Sequence, residues 1–115
     1  MQFADLHIHS CHSDGTDTPS QIFAKAKTAG VQCISITDHD TLGAYEDEAA
    51  ISALSAEHGV EIIKGIEFSA NHGDAEVHLL GYFVDGKVCP SFHAVLKDVK
   101  LARQDRMLKI INKLA

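Results

Sequence analysis

The stretch that decides the fold is Asp5-Leu6-His7-Ile8-His9-Ser10-Cys11-His12-Ser13-Asp14-Gly15. Phe3 to Ile8 is a run of β-prone and apolar residues and reads as a short strand. Residues two apart on a strand face the same way, so His7 and His9 present two imidazoles from one face at the strand's end. Such a pair is a ready chelate for a divalent cation. The chain then turns through Ser13-Asp14-Gly15, and the turn adds a carboxylate.

Past that turn, Thr18-Pro19-Ser20-Gln21 opens a helix. Thr18 caps, Pro19 suits the first helical position, and Gln21 completes a capping box. Ile22, Phe23, Ala26 and Ala29 keep helical spacing, and Gly30 ends the helix. Val31 to Ile36 is a buried strand followed at once by Thr37-Asp38-His39-Asp40. Gly43 to His58 reads as a second helix ended by Gly59, and Val60 to Ile66 as a third strand with Glu67 at its end. Asn71 to Asp74 is a turn, Glu76 to Val84 a fourth strand, Asp85-Gly86 a turn, and Pro90-Ser91 opens a helix with a broad apolar face that runs to Ala115. Strands alternating with helices predict an α/β domain with mostly parallel strands. The Glu67–Glu76 link is too short for a helix, so the last two strands form a hairpin or an irregular crossover.

In parallel β/α architectures functional side chains gather at the carboxyl ends of strands. His7, His9 and Asp14, then Asp38, His39 and Asp40, then Glu67, and His78 within the fourth strand, are therefore expected to converge. Four imidazoles (His7, His9, His39, His78) and two carboxylates (Asp14, Glu67) suit manganese, zinc or iron better than an all-oxygen calcium cage. The set exceeds one four-coordinate ion and predicts a multinuclear site. Divalent ions about 3.5–4 Å apart are a common device for phosphoester hydrolysis.

Composition narrows the field. The chain has 115 residues, 45% of them hydrophobic, which is one core-forming domain at most. A formal net charge of −6 argues against a sequence-independent grip on nucleic acid and leaves phosphate binding through cations open. Cys11, Cys33 and Cys89 are odd in number and irregularly spaced, giving neither a disulfide framework nor a Cys-x-x-Cys metal motif. With no bilayer-length apolar run and no leader-like start, a cytoplasmic protein without a membrane partner is expected.

Four motifs in order, Asp5-Leu6-His7-Ile8-His9-Ser10 with Ser13-Asp14-Gly15, Ile36-Thr37-Asp38-His39-Asp40, Gly65-Ile66-Glu67-Phe68-Ser69, and Val77-His78-Leu79-Leu80-Gly81-Tyr82, resemble the start of a PHP domain, the polymerase and histidinol phosphatase family. Within it the chain is most similar to bacterial phosphoesterases acting on nucleoside 3′,5′-bisphosphates and on short RNA 5′ ends. The resemblance implies a distorted seven-stranded β/α barrel carrying two to three divalent ions at its C-terminal rim. It implies that His7 and His9 hold one ion, Asp14 and His39 a second, that Glu67 bridges ions, and that His78 belongs to the third. It assigns the catalytic centre to Asp14, His39 and Glu67 and the reaction to a metal-bridging hydroxide attacking a nucleotide or short-RNA phosphate ester. Arg103 and Arg106, three apart on the last helix, are the candidate phosphate-binding pair. The family pattern continues to a His-Pro histidine and a late Asp-x-His that find no match here, so residues 1–115 read as the N-terminal portion of the barrel, with an open sheet edge that favours association and an incomplete metal site, and this portion alone is expected to be inactive or weakly active.

Several of these residues also have plainer readings. A lone His-x-His is more often a surface pair, Asp14 before Gly15 an ordinary turn aspartate, and His78 a satisfied core histidine. Asp38 suits a carboxylate that orients a ligand imidazole, and Asp40 either that or a helix cap. Cys11 reads as a small buried side chain, while His12, His58, His72 and His93 match no ligand position. Two rival functions stand beside the phosphoesterase: a histidinol-phosphate phosphatase-like enzyme, and a non-catalytic metal-binding scaffold.

Overall fold

The computed structural model describes residues 3–114. Strand β1 (Phe3–Ile8), helix α1 (Pro19–Ala29) and strand β2 (Val31–Ile36) fall where the sequence places them. The α1 cap is the expected one. Thr18 accepts from the Gln21 amide, the Gln21 side chain reaches back to the Thr18 amide, and Gly30 closes the helix at φ 76°. This crossover brings β2 back parallel to β1, with Phe3 opposite Val31 and Ile8 opposite Ile36.

Two boundaries differ from expectation. The segment from Gly43 is not a continuous helix: a single 3-10 turn spans Gly43–Tyr45, and helix α2 begins afresh at Glu48 and runs to His58. Asp47 caps α2 by accepting from the Ala50 amide at 3.0 Å. The interruption frees Tyr45 to turn inward. Its hydroxyl donates to the Ile36 carbonyl at 2.6 Å and accepts from the Ile36 amide at 3.0 Å and the Gly65 amide at 3.3 Å. Burial pushes the phenol up to about 12, so it is neutral throughout the physiological range.

The expected third strand is likewise two. Strand β3 (Glu61–Ile62) joins β2 in parallel to complete a three-stranded sheet ordered β1-β2-β3. Strand β4 (Lys64–His72) then leaves that sheet and pairs antiparallel with β5 (Ala75–Phe83) around a Gly73-Asp74 turn. The last two strands are therefore a hairpin, and Glu67 lies inside β4 rather than at a strand end. A parallel bridge between His39 and Glu67 joins the two sheets. Beside it the Glu67 amide donates to the Asp38 carbonyl at 3.1 Å, and the Asp40 amide to the Glu67 carbonyl at 3.0 Å.

Phe23, Ile34, Ile36 and Val60 are sealed between the three-stranded sheet and helices α1 and α2. Helix α3 (Pro90–Leu114) packs differently. Phe92 sits between Phe68 and Phe83 of the hairpin, with ring centroids 5.8 and 5.6 Å away, and Leu96 is its one buried residue. Leu101, Leu108, Ile111 and Leu114 of its expected apolar face are exposed. The radius of gyration, 16.0 Å, exceeds the roughly 13 Å of a compact chain of this length because α3 extends past the body. None of the described helices is long and apolar enough to cross a membrane.

Candidate metal centre

The seam between the two sheets is where the chemistry-bearing residues meet. His7 comes from β1 and His9 from just past its end, and their rings lie 5.3 Å apart on one face. After His9 the chain folds tightly. The amides of Ser13 and Gly15 donate to the Ser10 carbonyl, and Gly15 is pressed so close beneath His9 that a Cβ would stand 2.3 Å from the His9 carbonyl oxygen. Only glycine fits there, and the turn it permits sends Asp14 back onto His9.

Asp38 fixes this loop from the other side. It is buried, and its carboxylate accepts from the Ser10 amide at 2.6 Å, the Ser10 hydroxyl at 2.7 Å and the Ser13 hydroxyl at 2.7 Å. Its partners are thus two serines and not an imidazole, which corrects the expectation that it orients a ligand ring directly. Asp40 is likewise no helix cap. It is buried at φ 52°, a left-handed conformation that aspartate tolerates. One of its oxygens accepts from the Ser69 amide at 2.7 Å, and the other takes the Arg103 guanidinium. Cys11 is exposed, not buried.

Glu67 is the hub. Its carboxylate meets His7 Nε2 at 2.5 Å, His39 Nδ1 at 3.0 Å and His78 Nδ1 at 3.0 Å, with His9 Nε2 3.6 Å away. His78 reaches it across the hairpin. Ser69 is opposite His78 and Leu80 opposite Glu67, so His78 and Glu67 are diagonal neighbours on one face. Asp14 bridges the remaining imidazoles, 2.5 Å from His9 Nδ1 and 3.2 Å from His39 Nε2. Burial pushes the Glu67 carboxyl up, but hydrogen bonds from His78 and His7, with His39 and His9 close by, outweigh it and hold the group below the usual carboxylate range. The hydrogen bond with His9 lowers Asp14 in the same sense.

Three overlapping ligand groups result: His7, His9 and Glu67; His9, Asp14 and His39; His39, Glu67 and His78. Within each, one donor atom per residue lies within 4.8 Å of the others. His9 Nε2 is buried and has no hydrogen-bond partner among the described residues, although it faces the Glu67 carboxylate. A buried nitrogen lone pair aimed at a carboxylate, among imidazoles, fits a cation between them. The residues present therefore fit divalent metal. All six expected ligand residues converge, and His39 and Glu67 lie at the same end as His7 and His9.

The two arginines part company. Arg103 reaches the centre's edge, donating to Asp40 and to the Ser69 hydroxyl, whereas Arg106 does not line the cleft. The cleft itself, about 1530 Å³, opens beside Asp14, His39 and His78 and runs between the 3-10 turn and α3. His12 and His93, matched to no ligand position from sequence, line it as well.

The profile of the PHP domain matches residues 5–113. The chain belongs to the PHP domain family. Among PHP relatives it is 38% identical over 110 residues to a 5′-3′ exoribonuclease of Haemophilus influenzae, covering 96% of this chain and 39% of that protein. A 3′,5′-nucleoside bisphosphate phosphatase of Chromobacterium violaceum is 33% identical over 106 residues, covering 92% of this chain and 36% of its own. A solved structure from Bifidobacterium adolescentis, described as a proposed metal-dependent phosphoesterase, superposes with a TM-score of 0.84 at 28% identity, over 98% of this chain and 38% of that one. This PHP chain thus spans less than two fifths of the length of those relatives.

Proposed function

We propose that His7, His9, Asp14, His39, Glu67 and His78 hold two to three divalent ions, of manganese, zinc or iron, and that the centre hydrolyses phosphate esters. The observation that carries this reading is Glu67. One buried carboxylate stands within 3.6 Å of four imidazoles drawn from both sheets, and a single bridging carboxylate is what a cluster of neighbouring ions needs. Bound ions would supply an activated water near neutral pH and neutralise charge on the phosphoryl oxygens.

The chain's own residues do the rest. Glu67 and Asp14 stay ionised, because their neighbours hold both carboxyls low, and so present anionic oxygens at neutral pH. His39 stands between the two carboxylates at the middle of the cluster, its Nε2 3.2 Å from Asp14 and its Nδ1 3.0 Å from Glu67. Asp38 sets the loop that carries Asp14, and Asp40 sets the backbone at Ser69 while anchoring Arg103 beside the centre. Arg103 supplies a cation where a phosphate ester would enter. The names of the two curated relatives support a phosphorylated nucleotide or RNA end as the substrate class.

The test is metal content and turnover together. Elemental mass analysis of the purified chain is expected to return two or more ions per molecule, and Mn²⁺ is expected to support release of phosphate from adenosine 3′,5′-bisphosphate. A chain that folds with no metal and turns over no phosphoester, with Mn²⁺ in excess, sinks the proposal in favour of a scaffold.

A further inference from the structure

His12 combines a fixed backbone with a ring that nothing uses. Its amide donates to the Ser10 hydroxyl oxygen at 3.1 Å, and that hydroxyl donates in turn to the buried Asp38 carboxylate at 2.7 Å. The imidazole belongs to an exposed residue and makes no hydrogen bond or ion pair among the described residues. His58 shows the contrast: its ring bonds the Leu54 carbonyl at 3.0 Å and stacks on Phe23. Space is left beside the His12 ring. Gly43 does not adopt a left-handed φ, so its backbone has no need of glycine. A Cβ there would stand 3.1 Å from His12 Nδ1 and 3.6 Å from its Cγ. What glycine supplies at this position is room for the imidazole.

The ring also stands in the right place. His12 lines the cleft and precedes Asp14 by two residues, so at most about 7 Å separates their Cα atoms, the reach of one sugar. Leu42, beside the 3-10 turn, and Leu96, on α3, line the same cleft. So do Glu46 and Glu48, whose charge opposes a second phosphate away from the centre. An uncharged, planar group is what such walls accept beside a phosphate held at the ions.

We propose that His12 is the platform on which the substrate's nucleobase stacks, one sugar away from the phosphate at the centre. It is then the side chain that makes the site prefer a nucleotide to a plain sugar phosphate. This rests on reading the centre as a phosphoesterase site and adds a specificity-determining residue to it. Stacking on an aromatic ring, imidazole included, accepts any base, so the preference is for a base over none.

The His12 ring itself reports the contact, apart from chemistry. Proton NMR is recorded on the metal-free protein in EDTA, at a pH where the imidazole is neutral. The His12 carbon-bound ring protons are assigned by their loss in His12→Phe. Adenosine 5′-monophosphate and ribose 5-phosphate, which carry the same phosphate group, are titrated separately. Only the nucleotide is expected to move these protons upfield, through the ring current of the stacked base, and it is expected to bind at least about fivefold tighter. His12→Ala should bring the two affinities level, and His12→Phe should restore the preference. His72→Ala, which removes an exposed imidazole at the hairpin turn, off the cleft, should keep the wild-type ratio. Equal affinities in the wild type, binding of neither compound, or a wild-type ratio in His12→Ala overturns the proposal. Mn²⁺-dependent release of phosphate from adenosine 3′,5′-bisphosphate is assayed in parallel. Release without a base preference defeats this inference alone; a base preference without release defeats the phosphoesterase reading alone.

Discussion

Gly65 of β4 lies close against β2, and Gly65→Ala tests whether that approach builds the centre. A Cβ there would stand 2.3 Å from Ser35 Oγ, 2.9 Å from Thr37 Cγ2 and 3.2 Å from Tyr82 Cδ1. Real Cβ contacts essentially never fall under 3.0 Å, so β4 must retreat from β2 by about 0.7 Å or Ser35 must turn. Turning is hindered, because Ser35 and Thr37 are fully buried. Overpacking of this kind costs about 1–3 kcal/mol, against a total of about 5–15 kcal/mol for a domain. At roughly 4–8 °C per kcal/mol for a chain near this size, the melting temperature should fall by at least about 4 °C. Glu67 is two residues on, and its amide and carbonyl bonds to Asp38 and Asp40 cross the same seam. A retreat there also pulls the hub away from His39, so metal retention should drop with stability. Gly81→Ala is the internal control. It lies on the facing strand β5, but its Cβ would meet only Ile66 Cγ2, at an ordinary 3.6 Å. Differential scanning calorimetry and elemental analysis on both variants decide the matter. If Gly65→Ala melts and binds metal as Gly81→Ala does, the close approach is not what positions Glu67.

Three further outcomes follow from the same geometry. Tyr45→Phe removes the hydroxyl shared by the Ile36 and Gly65 amides, leaving buried donors unpaired at a cost of about 1–3 kcal/mol; the denaturant midpoint should fall with the m-value unchanged. Glu67→Gln keeps the shape of the hub and removes its charge, and should reduce retained metal to one ion or none by elemental mass analysis while the far-ultraviolet circular dichroism stays as in the wild type. For pH, Glu67 and Asp14 are both held below their ordinary values of 4.5 and 3.8, so the fold favours their ionised forms. Their contribution is fully present above those unfolded-state values and is lost as pH falls through the lower folded ones. The metal-free protein should melt at a constant temperature above about pH 5 and progressively lower below about pH 4.5; a melting temperature that rises on acidification would refute the assignment.

What could be read from the sequence was what is locally encoded. The Thr18–Gln21 capping box, the Gly30 stop, and the placement of His7 and His9 on one face depend on residues a few positions apart, and each is present as expected. The misplaced boundaries answer to distant partners. Gly43 to Tyr45 continues the helical pattern of α2, but Tyr45 is needed by Ile36 and Gly65, and the helix starts later. Val60 to Ile66 reads as one strand, and nothing in it marks the place where the Ile63 amide bonds to Ile34 and the chain leaves the first sheet. Asp38 and Asp40 announced a function by their charge after a buried strand, but not the direction of their side chains. The apolar residues of α3 suggest a broad buried face, but only the hairpin, through Phe92, decides which side of the helix packs.

The same seam explains why a centre of this kind should stabilise the fold that carries it. The two sheets share a single bridge at His39 and Glu67, the Tyr45 hydroxyl, and a hydrogen bond from the Tyr82 hydroxyl to the Leu6 carbonyl at 2.6 Å. Extended ladders would make such a junction rigid, and here there are none among the described residues. Two of the three ligand groups instead span the gap. His7 and His9 belong to the parallel sheet and Glu67 to the hairpin; His39 leaves β2, while Glu67 and His78 lie on β4 and β5. A cation shared by such a group ties one sheet to the other and adds binding free energy that only the folded arrangement can collect. The orphaned His9 nitrogen and the left-handed Asp40 are local costs borne at the place where that cross-link would form.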